Sequence, residues 1–101
     1  MTSEQVREKV ENAIAGQWHR SNLHGVDLRR ALVPPQQIGF VWADGSPAPK
    51  LWLVLREHAA GGYVVVYDDG SDQFGLAELR DGYAPCCFGL YGDFFAAFEA
   101  M

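Results

Sequence analysis

Leu51-Trp-Leu-Val-Leu-Arg56 and Tyr63-Val-Val-Val-Tyr67, joined across Gly61-Gly62, decide how this chain folds. Branched and aromatic side chains suit the crowded, pleated surface of a sheet, and both runs have the length of an ordinary strand. Glycine accepts the positive φ angles that tight hairpins need, so Gly61-Gly62 reads as the turn between two antiparallel strands. These strands are expected at the middle of a sheet.

Downstream, Asp68-Asp-Gly-Ser-Asp72 supplies another turn, Gln73 to Ala77 a strand, and Ala84 to Leu90 a further strand reached around Asp81-Gly82. After Gly92-Asp93, Phe94, Phe95, Phe98 and Met101 recur at helical spacing. Upstream, Thr2 or Ser3 caps a first helix, with Gln5 placed after Thr2 as in a capping box. Val6, Val10, Ala13, Ile14 and Trp18 form its apolar stripe, and Glu4, Arg7, Glu8 and Glu11 its polar face. A short helix starting near Gly25 or Asp27 stops by Leu32, because Pro34-Pro35 cannot continue it. Gln37 to Ala43 then alternates, with Ile38, Phe40 and Trp42 on one face, and Asp44-Gly45 opens a Pro-containing hairpin to a strand over Lys50 to Glu57.

The expected class is α+β: an antiparallel meander of about five strands with N-terminal and C-terminal helices, in two layers. A chain of 101 residues with 49% hydrophobic content matches one globular domain spanning 1–101.

Thirteen acidic residues against eight basic ones give a net charge of −5, which repels a phosphate backbone. No nucleic-acid partner is expected, and a basic protein is a better match, although such acidity also serves solubility. Cys86 and Cys87 are adjacent and point to opposite faces of a strand, which suits neither a mutual disulfide nor a shared metal. Free thiols, and the polar start Met1-Thr-Ser-Glu-Gln-Val6 in place of a basic and apolar leader, point to the cytoplasm. No apolar run approaches the ~20 residues of a membrane span, so no membrane association is expected.

The two central strands are apolar on both faces. Leu51, Leu53 and Leu55 alternate with Trp52 and Val54, and Val64 and Val66 alternate with Tyr63, Val65 and Tyr67. One face receives the helices. The other is either covered by the N-terminal segments or left for a partner, and Tyr and Trp dominate binding hot spots. A docking surface built on Trp42, Trp52, Tyr63 and Tyr67 is therefore expected, with Asp68, Asp69 and Asp72 as steering charges. Its occupant is a different protein or a second copy of the chain; a homo-oligomer would pair this face across a two-fold axis.

Chemistry-bearing constellations are sparse. Ser21, His24 and Asp27 have the spacing of one helix face, but Gly25 interrupts the helix that would align a hydrolytic triad. Asp68-Asp-Gly-Ser-Asp72 has the oxygen-rich opening of a calcium loop without its remaining ligands, and is explained by turn chemistry. His19, His24 and His58 stand at no metal-ligand spacing, and Gly16, Gly25 and the Gly61-Gly62 pair do not follow a strand and open a helix as a phosphate cradle does. No catalytic residue, metal or cofactor is expected. The alternative is a small enzyme or ligand-binding protein whose pocket lies between sheet and helices and uses His24, Asp27 or Tyr91.

Asp27-Leu-Arg-Arg-Ala-Leu-Val-Pro-Pro35, Leu51-Trp-Leu-Val-Leu55, Gly62-Tyr-Val-Val-Val-Tyr-Asp68, Phe74-Gly-Leu-Ala77 and Tyr91-Gly-Asp-Phe-Phe95 together resemble a family of small, uncharacterised bacterial α+β proteins. That resemblance covers most of the chain and implies a bacterial protein, but no activity or catalytic residue. In size, acidity and style the chain is also similar to immunity proteins of bacterial toxin systems, which implies a non-enzymatic protein-binding module that occludes a basic partner.

Overall fold

The computed structural model describes every residue except Ala60. Helix α1 (Ser3–Ile14) is followed by a short α2 (Leu28–Ala31), strands β1 (Leu32–Ile38), β2 (Val41–Trp42), β3 (Leu51–His58), β4 (Gly61–Asp68), β5 (Gln73–Leu79) and β6 (Cys86–Gly92), and helix α3 (Phe94–Glu99). The fold is α+β. Its sheet has six strands in the order β1-β3-β4-β5-β6-β2, not five in a pure antiparallel meander, because β2 pairs parallel to β6.

Local chemistry accounts for the helix ends. Thr2 accepts from the Gln5 N–H at 3.2 Å, and the Gln5 side chain accepts from the Thr2 N–H at 2.9 Å, the reciprocal capping box. Helix α1 stops at Ile14 because Ala15 and Gly16 adopt positive φ of 53° and 78°. Trp18 therefore lies beyond the helix, packed against the core with the Arg29 guanidinium 4.7 Å above its ring. Asp27 caps α2 by accepting from the Arg29 and Arg30 N–H groups.

Pro34-Pro35 ends this helix as expected, yet both prolines continue into β1. That is tolerated because β1 is an edge strand whose register against β3 shifts between Leu32 and Gln36. Gly61 and Gly62 are strand residues of β4 and not the turn itself; Gly61 pairs with His58. The Asp44-Gly45 turn does form, with Gly45 at φ 86° and Asp44 accepting from the Ser46 N–H and hydroxyl. It closes only a small hairpin in which Val41 bridges Pro47.

Val6, Val10 and Ile14 of α1 and Phe94, Phe95 and Phe98 of α3 pack over Trp52, Val54, Leu55, Val65, Tyr67 and Phe74. A second cluster of Leu51, Leu53, Val64, Val66, Ala77 and Cys87 fills the opposite face. Its cover is not the N-terminal segments. Phe40, only 4% exposed, joins it, and Trp42 and Ala48 pack alongside. Gly39 and Phe40 alone separate β1 from β2 at opposite edges of the sheet. Such a link reaches about 10 Å, whereas a flat sheet would hold the edges about 24 Å apart at ~4.8 Å per strand. The sheet is therefore curled until its edges approach, and Phe40 closes the gap.

Candidate functional site

The residues expected to bind a partner fall at three separate places. Trp42 is half-buried on the second face. Trp52 and Tyr67, 8% and 1% exposed, lie in the helix-side core at the end of the sheet where β4 turns into β5. Tyr63 is the third residue of the same strand and sits about 17 Å from that turn, at ~3.3 Å per residue. They do not form one open aromatic face, because the helices cover one side of the sheet and the 39–50 segment the other.

The acidic turn is tied inward. The Trp52 indole N–H donates to Asp69 Oδ2 at 3.1 Å, and the Tyr67 hydroxyl donates to Asp72 Oδ1 at 2.5 Å. Lys9 of α1 reaches Asp72 at 3.4 Å, and the N-terminal ammonium lies 4.0 Å from Asp69. Asp68 accepts from the Gly70 N–H and the Ser71 hydroxyl, which is turn chemistry. Burial, then the Asp72 hydrogen bond and the nearby carboxylates, push the Tyr67 hydroxyl well above the usual tyrosine range. The Tyr67 hydrogen bond and then Lys9 hold Asp72 below the usual carboxylate range. The three carboxylates remain at the surface, where their charge contributes to the negative field.

At the other end of the sheet the structure assembles residues that the sequence leaves scattered. Asn22 pins the loop before α2: its amide donates to the Phe98 carbonyl at 2.9 Å, and its Oδ1 accepts from the His24 and Val26 N–H groups. Ser21 donates to the Val26 carbonyl, a turn role and not that of a nucleophile. His24 is thereby aimed at Glu57, the two joined through Nδ1 and Oε1. Glu57 Oε2 accepts from the Tyr63 N–H at 3.2 Å, and His58 Nε2 lies 4.0 Å from Oε1. Burial acts to raise the Glu57 carboxyl, but the Tyr63 and His24 hydrogen bonds outweigh it and hold the group below the usual range.

The His24 ring lies 5.6 Å from the Tyr63 ring, which lies 6.1 Å from Phe88 of β6. Leu23, beside His24, is 94% exposed, and Phe88 is 43% exposed. The rings of His24, Tyr63 and Phe88 make a row at this end of the molecule, with the exposed Leu23 next to His24 in the chain. Beside it opens a cleft of about 510 Å³ lined by His24, Val26, Asp27, Arg30, Arg56 and Glu57 among others. His24 and Asp27 thus meet at a pocket margin, whereas Tyr91 lies on β6 outside it.

Comparison with family models, curated proteins and solved structures finds no match. Function is read from this geometry alone. Leu23 and Phe88 were legible only as apolar residues stranded in polar or glycine-rich context, Ser21-Asn-Leu-His-Gly25 and Cys87-Phe-Gly89. Arg30, Arg56 and Glu57 carried no motif, since their convergence depends on how α2 and the end of β3 meet. No helix among the described residues is long and apolar enough to cross a membrane.

Proposed function

We propose that this chain is a protein-binding module that acts by occlusion, as an immunity protein does, and that it docks a basic partner through Leu23, His24, Tyr63 and Phe88. One observation carries the reading: after both sheet faces have been filled, the half-buried Tyr63 ring stands between the exposed His24 and Phe88, and the exposed Leu23 is next to His24 in the chain. A buried aromatic anchor flanked by a polar rim is what a binding hot spot needs, and Glu57, His58 and Glu78 supply polar neighbours.

The partner's basicity follows from charge. With a net charge of −5, the chain attracts a cationic protein at long range, and Asp68, Asp69 and Asp72 add to that field without lying in the contact. Trp42, Trp52 and Tyr67 act in this account by holding the fold that presents the row.

Affinity capture from the native cell with wild type, Leu23→Asp/Phe88→Asp and Glu11→Lys baits tests the reading. The expected result is a basic protein retained stoichiometrically by wild type and by Glu11→Lys, lost with the double variant, and inhibited in its own activity when bound. Equal retention by the double variant places the contact elsewhere. Recovery of a dimer of the chain alone, measured by light scattering, replaces the foreign partner with a second copy.

A further inference from the structure

We propose that the cleft between α2 and the end of β3 is a binding site for a small organic anion, a carboxylate or phosphate head carried on a short apolar body. The cleft has two acidic and two arginine side chains at its wall, and three of the four carboxylate oxygens are on the protein's own donors. Asp27 Oδ1 accepts from the Arg29 and Arg30 N–H groups. Glu57 accepts at one oxygen from His24 and at the other from the Tyr63 N–H.

The arginines have no carboxylate partner among the described residues. No ion pair among the described residues includes Arg30 or Arg56. Arg56 donates from Nη2 to the Ala59 carbonyl at 2.7 Å, and its buried Nε has no hydrogen-bond partner among the described residues. A guanidinium presents five N–H donors and no acceptor, so the two arginines give the wall most of its unused donors, set against the one free carboxylate oxygen of Asp27. In a chain of net charge −5, unpaired cations converging on one cleft match an oxyanion, which a guanidinium binds in bidentate fashion. Val26 and Ala31, both buried, and Val33 supply an apolar floor for the rest of the ligand. The volume of about 510 Å³ falls within the usual range for small-molecule sites. This site adjoins the proposed docking row and shares His24 with it, but its arginines lie outside that row.

The test is an amide-resolved NMR titration of the full chain with sodium butyrate, inorganic phosphate and neutral butyramide at constant ionic strength. Expected are saturable shifts confined to residues 24–33 and 56–59 with butyrate or phosphate and none with butyramide. Arg30→Gln should weaken binding by roughly tenfold to a hundredfold, the loss of one charge-assisted hydrogen bond. Arg30 is exposed at the surface, so this variant keeps the fold; Arg56→Gln serves as the second variant. Saturation by phosphate and not butyrate assigns the head group as a phosphate, and the reverse assigns a carboxylate. Absence of saturable shifts with both anions, equal shifts with butyramide, or unchanged affinity in both variants overturns the proposal.

Discussion

Gly75 is where the curled sheet has least room for a methyl group. In β5 it pairs with Val66 of β4 and Leu90 of β6, and the β5–β6 register shifts on each side of the Gly75–Leu76 pair. A Cβ at this position would lie 2.4 Å from the Gly89 carbonyl oxygen and 2.8 Å from Leu90 Cδ2. The leucine can rotate away, but the carbonyl belongs to a paired strand and moves only if β6 bends. Gly75→Ala is therefore an overpacking substitution of about 1–3 kcal/mol, which lowers the melting temperature of a domain this size by about 5–20 °C. Gly89→Ala is the matched control: a Cβ there meets nothing within 4 Å, and its φ is not positive. Alanine at that site should stabilise by about 0.4–1 kcal/mol through the unfolded chain. Thermal denaturation followed by circular dichroism measures both. A Gly75→Ala melting point equal to wild type, or a larger loss in Gly89→Ala, refutes the close approach of β5 and β6.

Trp52→Ala should cost about 3–5 kcal/mol, as a large buried side chain lost from the helix-side core. Tyr67→Phe should cost only about 1 kcal/mol, because Asp72 stays exposed and keeps Lys9; urea titrations separate the two. The Glu57 carboxyl is held below its ordinary value of 4.5, so the unfolded chain binds the proton more readily. Its stabilisation is complete above that value and is lost as pH falls through the folded-state value; Glu57→Gln should flatten the acid limb of the stability profile, below the ordinary carboxyl value. Leu23→Asp should leave the urea midpoint within the equivalent of about 0.5 kcal/mol, because the side chain touches solvent almost everywhere.

The strand cores, the capped first helix and the terminal helix were legible because each carries its own periodicity or cap: Leu51–Leu55, Val64–Tyr67, Thr2 with Gln5, and Phe94 with Phe98. The apolar character of both sheet faces was equally plain and required a cover. Its identity was not, since the curl is set by the two-residue link and by the Gly75–Gly89 approach, long-range geometry that no local pattern encodes. Prolines at 34 and 35 concealed β1, because an edge strand can lack N–H donors that a central strand needs. Parallel pairing of the short β2 with β6 was hidden because the alternation over Gln37 to Ala43 reads as one strand, whereas Gly39 and Phe40 break it into the end of β1 and a two-residue β2 at the opposite edge. At the candidate site, His24 and Asp27 stood out by residue type. Glu57, which His24 meets, and Arg56 beside it lie on a strand more than twenty positions away, and the Asn22 anchor to Phe98 helps hold the loop against that strand.

Hydrogen exchange on the captured complex, compared with the free chain, tests the proposed docking row most directly. The account predicts new protection at residues 22–25, 61–64 and 86–89, with residues 68–72 and α1 unchanged. Protection centred on the 68–72 turn or on α1, with the row still exchanging freely, would contradict it.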